Sequence, residues 1–436
     1  MYASEAARRG ASAIITEREL SLNIPQILVN SAREALAKIS STFHGKPCER
    51  LKIIGVTGTN GKTTTAHMLA SILKNDGKKV GIIGTLGIYY GEKRLPSDLT
   101  TPDPIDLHAV FSEMEKEGVE YVVMEVSAHA LYYEKVAGIS FAGCIFTNLT
   151  QDHLDFFDSM SDYKEVKKRL FEENRCKIAI VNGDEELGRE IGMERETRGE
   201  KSLYYGLLTP CDAFAVITKE SLRGSDCVLN VKDALFRVFL SMVGKHNVYN
   251  ALGAVACARE LGVSGNAIVQ GLIEFKGVEG RLEWVANFHG ADIFVDFAHT
   301  PDGLKKSLES LRVHCKGRLI CLFGCGGNRD RSKRSIMGER VAQDCHFAIL
   351  TSDNPRYEDP LDIICEIEKG YRKYSARYVV VPDRKRAIDY ALDYIKEGDV
   401  LLVAGKGGER YQEIMGIKYP FNDHDIIKKL MEKKGK

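Results

Sequence analysis

The sequence predicts an α/β protein in which helices cover parallel sheets, with the chain divided into three domains. Apolar, β-rich runs alternate with helical patterns along most of the chain, as in proteins built from successive βα units. The length of 436 residues is the second observation, because domains commonly hold roughly 150 residues. We predict domain boundaries near residues 48 and 278, which gives units 1–48, 49–278 and 279–436.

The first unit, residues 1–48, is small. A helical stretch precedes a strand at ASAIIT, and QILVN predicts a second strand. Ser31 and Glu34 form the pattern of a capping box, in which two side chains satisfy N–H groups at the start of a helix. We therefore predict a helix directly after Ser31.

The central unit, residues 49–278, opens with the apolar run LKIIGVTG, which is typical of a parallel strand covered on both faces. The helix TTTAHMLASILKNDG follows, and further strands are predicted at KVGIIGTL, YVVMEVS, GCIFTNL and KIAIVNG. Residues 203–243 hold short alternating stretches that indicate antiparallel strands. The helical pattern NVYNALGAVACARELG ends at a glycine, and FKGVEGR predicts a linker.

The third unit, residues 279–436, restarts the βα alternation. Strands are predicted at DIFVDFA, RLICLFG, FAILTSD, YVVVPD and DVLLVAG. The basic end, KKLMEKKGK, is typical of a solvated helix end or tail.

The composition excludes several classes of protein. Lys plus Arg and Asp plus Glu both number 61, so no basic excess exists for coating nucleic acid. Apolar runs stay shorter than the ~18–20 residues of a membrane helix, so we expect no membrane insertion. The 11 cysteines are scattered without a Cys-x-x-Cys pair, which is typical of free thiols in a reducing compartment. We expect a cytoplasmic protein, and a monomer.

The strongest local signal lies between a strand and a helix, and its residues are Gly58, Thr59, Asn60, Gly61, Lys62, Thr63 and Thr64. A bound phosphate needs close backbone approach, N–H donors and a positive charge, which glycines, a helix N-terminus and Lys62 supply. Thr63 is placed to hold Mg²⁺. The strict phosphate-loop pattern fails at one position, because Val56 stands where its first glycine belongs. The motif still predicts a nucleotide phosphate site.

Acidic side chains follow two later strands. Glu125 ends the apolar strand YVVM, at the sheet edge where ligands bind in open α/β folds. A carboxylate there could hold Mg²⁺, and the alternative is a glutamate that caps a helix or forms a salt bridge. Asp152, His153 and Asp155 lie within one turn after GCIFTNL. Their grouping downstream of a phosphate loop favours a metal or phosphate role.

Eleven motifs, taken in order, resemble those of the Mur ligase family, the ATP-dependent amide-forming enzymes of peptidoglycan synthesis. They are GTNGKTTT, TTPDP, MEVSAHAL, FTNLTQDHLDFF, DYKEVKKRLF, GKHNVYNALGA, GRLEWV, VDFAHTPDGL, FGCGGNRDRSKR, SDNPR and GKGGERYQE. The resemblance implies a three-domain architecture with a central P-loop ATPase domain and a C-terminal Rossmann-like domain that binds the amino acid.

The resemblance also implies the chemistry. An ADP-forming ligase would add meso-diaminopimelate to UDP-N-acetylmuramoyl-L-alanyl-D-glutamate: ATP phosphorylates the D-glutamyl carboxylate, and an amine then attacks the acyl phosphate. The implied cofactors are ATP, Mg²⁺ and a carbamylated Lys167. From the residues alone, Lys167 is one lysine on a charged helix, and solvation would be its default.

Several residues take roles from the family motifs that they match. The catalytic set is Lys62, Glu125, His153 and Lys167. The metal set is Thr63, Glu125, His153 and Lys167. Besides the phosphate loop, the implied nucleotide contacts are Asn250, Arg281, Asp296 and His299. The implied contacts to the UDP-sugar-peptide are Thr100, Thr101, Ser127 and Lys135.

The choice of amino acid depends on the segment FAILTSDNPRYEDP. Pro355 stiffens the loop and disfavours helix at the preceding residue. Arg356 presents a planar fork that suits a carboxylate. Diaminopimelate differs from lysine by a second carboxylate, so a site that selects it needs a cation there. The resemblance places the amino acid against Arg329, Asp353, Asn354, Arg356, Gly405 and Glu409, with Glu409 taking the distal ammonium.

The chain departs from the family pattern at three places. Gly408 replaces the histidine of the usual GKGHE. Tyr133 and Lys135 stand where the family commonly has Gln and Arg in contact with the UDP-sugar-peptide. The chain begins at a segment resembling the latter half of the first domain, without its DSR-like motif, so residues 1–48 are expected to be a remnant of the UDP-binding domain.

Three alternatives remain open on the sequence. A lysine-adding ligase of the same family is the nearest. The DNPR and GKGGE segments argue against a folate polyglutamate ligase. A non-catalytic nucleotide-binding module would not need Lys167, Arg281, Arg329 and Glu409. ATP-site residues on both sides of the boundary near residue 278 predict that the C-terminal domain closes on the central one.

Overall fold

The structure, a computed structural model that describes residues 2–153 and 156–435, contains two large sheets. One has 11 strands and the other has six, and each of two small sheets has two strands. Helices lie between most successive parallel strands, so the α/β class predicted from the alternating pattern is confirmed.

The first unit folds around a helix whose start the sequence identifies. Its elements are α1 (Tyr2–Arg8), β1 (Ile14–Thr16), β2 (Gln26–Leu28) and α2 (Ala32–Phe43). Ser31 caps α2, because its Oγ accepts a hydrogen bond from the Glu34 N–H at 3.1 Å. The Glu34 carboxylate pairs with Lys38 at 2.7 Å, so the second half of the predicted capping box is replaced by an ion pair.

The central unit holds the 11-stranded sheet. Its elements are β3 (Lys52–Thr57), α3 (Lys62–Asn75), β4 (Val80–Gly84), β5 (Gly87–Tyr90), β6 (Lys93–Leu95), α4 (Pro104–Lys116), β7 (Tyr121–Glu125), α5 (Ala128–Tyr132), β8 (Gly143–Phe146), α6 (Met160–Lys168), β9 (Ile178–Asn182), α7 (Glu186–Thr197), β10 (Lys201–Gly206), β11 (Ala213–Ser221), β12 (Gly224–Val231), β13 (Ala234–Leu240), α8 (Lys245–Glu260) and α9 (Gly265–Glu274).

The strand order of this sheet is β13-β12-β11-β10-β9-β8-β3-β7-β4-β5-β6. Pairing is parallel from β4 across the centre to β11. It is antiparallel at both ends, in β11–β13 and in β4–β6. The antiparallel prediction for residues 203–243 therefore holds for β11 to β13, whereas β10 belongs to the parallel part.

Strand β3 lies near the middle of the sheet, and its side chains pack into the hydrophobic cores on both faces. Ile54 and Val56 pack with α3 and α8 on one face, and Ile53 packs in the core of the other face. All three are fully buried, and burial of each such side chain contributes roughly 1.5–3 kcal/mol. The central position places the end of β3, where the phosphate loop starts, between the ends of β7 and β8.

The C-terminal unit holds the six-stranded sheet, in the order β14-β15-β19-β16-β17-β18. Its elements are β14 (Glu283–Phe288), β15 (Ala291–Asp296), α10 (Pro301–Arg312), β16 (Leu319–Phe323), α11 (Ser332–Asp344), β17 (Phe347–Leu350), α12 (Pro360–Tyr371), β18 (Tyr378–Val380), α13 (Arg384–Tyr394), β19 (Val400–Ala404), β20 (Tyr411–Ile414), β21 (Ile417–Pro420) and α14 (Asp423–Lys434). Only β14 runs antiparallel to its neighbour in this sheet.

The predicted domain boundaries stay predictions. The one near residue 278 falls between the end of α9 and the start of β14, and the one near residue 48 falls in the 3₁₀ turn Pro47–Glu49. Nowhere in residues 2–153 and 156–435 is a helix both long and apolar enough to cross a bilayer.

His108 gives the fold an expected sensitivity to acid. It is fully buried in α4, and neither ring nitrogen has a hydrogen-bond partner among the described residues. Burial lowers the pKa of His108 from 6.5 to about 4. The unfolded chain therefore binds the proton more tightly, and stability is lost as pH falls from about 6.5 to about 4.

We expect His108→Leu to make the thermal unfolding midpoint of the protein less dependent on pH across this window. The histidine contribution corresponds to about 2 kcal/mol between pH 7 and 4.5, at 1.36 kcal/mol per pKa unit. Scanning calorimetry of both proteins at several pH values measures it, with His289→Leu at an exposed turn position as the control. Parallel pH profiles for wild type and His108→Leu would contradict this expectation.

Candidate active site

The phosphate loop connects the end of β3 to the start of α3, and its glycines are sterically required. Gly58 and Gly61 have φ values of 147° and 86°, which disfavour residues with a Cβ. A Cβ on Gly58 would lie 1.9 Å from Thr147 Oγ1. Asn148 holds the loop from the β8 side: its carbonyl accepts from Thr59 N and its Oδ1 accepts from Asn60 N, both at 2.9 Å.

Lys62 folds back over this loop. Its ammonium donates to the carbonyls of Gly58 and Thr59, at 3.0 and 2.9 Å. Burial lowers the pKa of Lys62, although the charges of Glu125 and Asp152 oppose the shift. These backbone contacts keep the charge beside the place where a phosphate would meet the loop N–H groups.

The Glu125 carboxylate is tied to the start of α3. Glu125 is 1% exposed, and Thr63 Oγ1 donates to its Oε2 at 3.0 Å. Thr85 N donates to the other oxygen, Oε1, at 2.9 Å. Glu125 thus lies at the end of β7, as predicted, and its carboxylate accepts from a hydroxyl and a loop N–H; its role as a metal ligand stays a prediction.

A hydroxyl and a carboxylate at this distance suit Mg²⁺, which uses one or two protein oxygens together with phosphates and water. In the described part of the chain, no three His, Cys, Asp or Glu side chains form a cluster suited to a metal. A Mg²⁺ that arrives with ATP does not need such a cluster, so Thr63 and Glu125 fit it.

Lys167 lies beneath the phosphate loop and is not solvated. It is 1% exposed, its ammonium donates to Gly58 O at 2.9 Å, and it lies 4.6 Å from the Tyr163 ring centroid. Burial holds the pKa of Lys167 well below its usual range, the charge of Lys62 adds to the effect, and Asp152 opposes it. Burial therefore favours the neutral amine.

His153 stands at the mouth of the same region in a left-handed backbone conformation, with φ of 56°. Its Nε2 lies 3.5 Å from Asp152 Oδ2, and its ring centroid lies 5.0 Å from that of His129. Burial lowers the pKa of His153 to about 4, and Asp152 opposes the shift. A neutral imidazole can ligate a metal. Asp155, the third member of the predicted cluster, lies outside the described residues.

The C-terminal unit reaches this site through two contacts. Arg281 Nη2 donates to Thr63 Oγ1 at 3.3 Å, and the guanidinium lies 4.2 Å from the Phe297 ring centroid. Asn60 Nδ2 donates to Asp302 Oδ2 at 3.1 Å. Both contacts join the phosphate loop region to residues after the boundary near 278, which is the arrangement that domain closure would produce.

The other residues predicted to contact the nucleotide are Asn250, Asp296 and His299. Asn250 Oδ1 accepts from Thr65 Oγ1 at 3.3 Å, close to the backbone of Gly61. Asp296 accepts from Leu282 N at 3.1 Å and from Ser307 Oγ, and burial raises the pKa of its carboxyl. His299 Nδ1 lies 2.9 Å from the Phe297 carbonyl, and burial lowers its pKa.

The predicted amino-acid residues come together in the loops after β17 and β19. Asn354 Nδ2 donates to Glu409 Oε2 at 2.9 Å, and a Cβ on Gly405 would lie 2.5 Å from Asp353 Oδ2. Arg356 Nη1 donates to Gly327 O at 2.8 Å. Arg329 is exposed and makes no hydrogen bond or ion pair to any described residue, so its role in binding the amino acid stays a prediction.

The predicted UDP-sugar-peptide residues run outward from Glu125. Thr101 Oγ1 donates to the Glu125 carbonyl at 2.9 Å, and Thr100 and Thr85 hydroxyls lie 3.1 Å apart. Ser127 caps α5. Lys135 pairs with Asp103 at 2.8 Å. Lys135 lines a cleft of about 320 Å³, together with Arg33, Leu36, Asp103, Pro104 and Tyr133. In this cleft, Arg33 stacks on Tyr133.

Four residues at this site were not singled out from the sequence. Asn148 hydrogen-bonds to the phosphate loop, and the ring of Tyr163 contacts Lys167. Lys406 pairs with Glu409 at 2.8 Å. Burial raises the pKa of Asp152, and the charge of Lys333 is one of those that outweigh this effect and lower it. Asn148 and Lys406 stand inside the motifs FTNLTQDH and GKGGE, which is the signal that could have identified them.

A phosphate loop in one α/β unit, joined by hydrogen bonds to a second α/β unit that carries the residues predicted to bind an amino acid, suits an ATP-dependent ligase. The Mur ligase middle domain matches residues 56–258, and the Mur ligase glutamate ligase domain matches residues 280–407. The chain belongs to the Mur ligase family.

Two relatives of the chain, both named as the same ligase, are similar to it over nearly its full length. The chain is 41% identical to UDP-N-acetylmuramoyl-L-alanyl-D-glutamate–2,6-diaminopimelate ligase of Caldanaerobacter subterraneus subsp. tengcongensis, with 99% of this chain and 89% of that protein covered. The enzyme of the same name from Geobacillus thermodenitrificans is 38% identical, with 98% and 88% covered.

Solved structures are similar to the chain as well. A structure of a UDP-N-acetylmuramoyl-L-alanyl-D-glutamate–2,6-diaminopimelate ligase aligns with a TM-score of 0.71 at 30% identity, covering 100% of this chain and 89% of that one. Folylpolyglutamate synthase from Thermotoga maritima aligns with a TM-score of 0.67 at 18% identity over 85% of this chain and 90% of that one, and shares the fold. The Mur ligase fold expected from the resemblance is thus confirmed, whereas the domain bounds and the amino-acid role of the C-terminal unit stay predictions.

Proposed function

We propose that the protein is an ATP-dependent ligase that adds meso-diaminopimelate to UDP-N-acetylmuramoyl-L-alanyl-D-glutamate, in the synthesis of peptidoglycan precursors. The observation that carries the proposal is the presence, in one chain, of the phosphate loop with its Lys62 and of the Arg356 cluster. Relatives that are similar over 98–99% of the chain bear names of this activity. The free thiols of the chain suit a reducing cytoplasm, where we place the reaction.

The reaction has two steps. The D-glutamyl carboxylate oxygen forms a bond to the γ-phosphorus of ATP, and the bond from that phosphorus to the ADP oxygen breaks. The amine of diaminopimelate then attacks the acyl carbon, phosphate leaves, and the nitrogen loses a proton. Positioning and charge stabilisation account for most of the rate in phosphoryl transfer.

The chain supplies these effects from both units. Lys62 and the loop N–H groups bind the phosphates, and Arg281 brings a second cation to Thr63 from the C-terminal unit. Mg²⁺, when bound with ATP, neutralises phosphate charge, and Thr63 and Glu125 would hold it. Asn250, Asp296 and His299 complete the proposed nucleotide site.

Carbamylation of Lys167 is the further part of this proposal. A neutral amine can add CO₂ and lose a proton, which converts it into a negatively charged, carboxylate-like carbamate. Two observations support it: Lys167 is buried without a carboxylate partner among the described residues, and Lys62 lies near enough to disfavour a second positive charge. A carbamate at this place would pair with Lys62 and offer oxygen ligands that Mg²⁺ prefers. His153 would act beside it.

The amino acid would be bound by Arg356 and Glu409, with Asp353, Asn354 and Gly405 shaping the loops and Arg329 reaching in from the surface. The distal carboxylate of diaminopimelate meets a cation at Arg356, whereas lysine has no group to place there. Arg356 already pairs with Glu413 at 3.1 Å, so diaminopimelate would gain hydrogen bonds to the remaining guanidinium donors that lysine cannot form. Thr100, Thr101, Ser127 and Lys135 are the proposed contacts to the UDP-sugar-peptide.

The test is ADP release by the purified protein with the UDP-linked dipeptide and either diaminopimelate or lysine. We expect kcat/KM to favour diaminopimelate by about a hundredfold, because only diaminopimelate can form charge-assisted hydrogen bonds to the free donors of Arg356, and such bonds contribute about 1.5–3 kcal/mol each. A clear preference for lysine would point to the lysine-adding alternative. ATP binding without ADP release on any amino acid would instead point to a non-catalytic module.

A further inference from the structure

The hairpin formed by β20 and β21 fixes the backbone of Arg356 by two hydrogen bonds. Arg356 has φ of 52°, a conformation that costs a non-glycine residue energy and persists where surrounding contacts fix it. Its N–H donates to the Glu413 carbonyl at 3.1 Å, and its carbonyl accepts from Met415 N at 2.7 Å. Both partners belong to the hairpin and its two-residue turn, so the strained residue is held from both sides.

The same hairpin also holds the guanidinium. Arg356 Nε donates to Glu413 Oε2 at 3.1 Å, and Nη1 donates to Gly327 O at 2.8 Å. Of the five N–H donors of an arginine, these contacts use two. Within residues 2–153 and 156–435, Nη2 has no hydrogen-bond partner, and the side chain is 20% exposed.

The free donors are both N–H groups of Nη2 and the second N–H of Nη1, because Nε donates to Glu413 and Nη1 donates once to Gly327 O. An Nη1–Nη2 edge can donate two parallel hydrogen bonds to both oxygens of one carboxylate. Because Glu413 takes Nε, this edge is the one left for a ligand. Without Glu413, the guanidinium could rotate and present Nε, and the flexible side chain would lose its fixed direction.

Glu413 is linked to the rest of the amino-acid cluster as well. Its N–H donates to Asn354 Oδ1 at 2.9 Å, and Asn354 Nδ2 donates to Glu409 Oε2. Lys406 donates to both Asn354 Oδ1 and Glu409 Oε2, at 3.0 and 2.8 Å. The Arg356–Glu413 pair and the Lys406–Glu409 pair are therefore connected through Asn354 and fixed relative to each other.

We propose that Glu413 is a positioning residue for amino-acid selection: it aims the Nη1–Nη2 edge of Arg356 at the distal carboxylate of diaminopimelate. The inference rests on the proposed function. It assigns to the hairpin a direct part in choosing diaminopimelate over lysine, since lysine lacks the group that this edge would receive.

The test compares Glu413→Ala and Glu413→Gln with wild type, by steady-state kinetics of ADP release. For Glu413→Ala we expect the KM for diaminopimelate to rise tenfold or more, as the loss of a charge-assisted hydrogen bond predicts. The KM values for ATP and for the UDP-linked dipeptide should stay unchanged. Glu413→Gln keeps an oxygen acceptor for Nε, so it should retain a KM within about threefold of wild type.

Ile417→Ala is the matched control, because Ile417 lies on the same hairpin and is 55% exposed. A rise in all three KM values, or an equal effect of Ile417→Ala, would show a structural role and overturn the inference. An unchanged KM for diaminopimelate in Glu413→Ala would overturn it too, while wild-type preference for diaminopimelate left the proposed function standing. A wild type that prefers lysine would overturn both.

Discussion

Replacing Lys167 by alanine is expected to lower kcat by about a thousandfold, the scale of losing one preorganised charged group beside a reacting phosphate. Lys167 lies under the phosphate loop with its amine on Gly58 O, and burial favours its neutral form. The alanine variant cannot form a carbamate, so Lys62 and any Mg²⁺ would lose the negative charge that we propose for this position.

Two measurements check this expectation. ADP release gives the rate, and ¹³C-labelled bicarbonate should give a carbamate resonance in wild type that is absent from Lys167→Ala. Lys164→Ala is the control, because Lys164 lies on the same helix and pairs with Glu190 at its surface. A rate within tenfold of wild type, or a wild type without the resonance, would contradict carbamylation.

Replacing Glu125 by glutamine is expected to lower kcat by about a hundredfold to a thousandfold, since it removes a negative charge from the proposed metal site. The amide is isosteric and can still accept from Thr85 N and meet Thr63, so the fold should be retained. The Mg²⁺ concentration that gives half-maximal rate should rise.

Magnesium titrations of ADP release measure this change, and the thermal unfolding midpoint verifies the fold. Glu117→Gln, an exposed position at the end of α4, is the control and should behave like wild type. If Glu125→Gln kept both the rate and the magnesium requirement of wild type, Glu125 would have only a structural role.

Much of the fold could be predicted because it depends on local patterns. The apolar run at β3, the glycines at 58 and 61 and the apolar strand before Glu125 each carry their own signal. Parallel strands place their carboxyl ends at one edge, so Lys62, Thr63 and Glu125 could be expected together. The antiparallel strands β5, β6 and β14 were missed, since they are short extensions whose pairing depends on the sheet already formed.

The finer parts of the site could not be predicted, because they depend on contacts between distant segments. Lys167 is one of several lysines on α6, and its sequence neighbours do not show that Gly58, 109 residues away, covers it. Arg356 lies in the loop after β17, and Glu413 lies in the hairpin that follows β19. Their pairing therefore joins segments that are distant along the chain. Arg329 shows the opposite case, because its motif predicts a role, whereas its exposed side chain makes no hydrogen bond or ion pair to a described residue, and the role stays a prediction.

The position of β19 in the C-terminal sheet has a consequence for how the chain folds during synthesis. This strand lies between β15 and β16, so two earlier portions of the sheet have no central partner until residues 400–404 leave the ribosome. Until then, both carry open strand edges, which are templates for aggregation. The loops proposed to select the amino acid are thus assembled late, and the sheet keeps unpaired strand edges from the synthesis of β15 until that of β19.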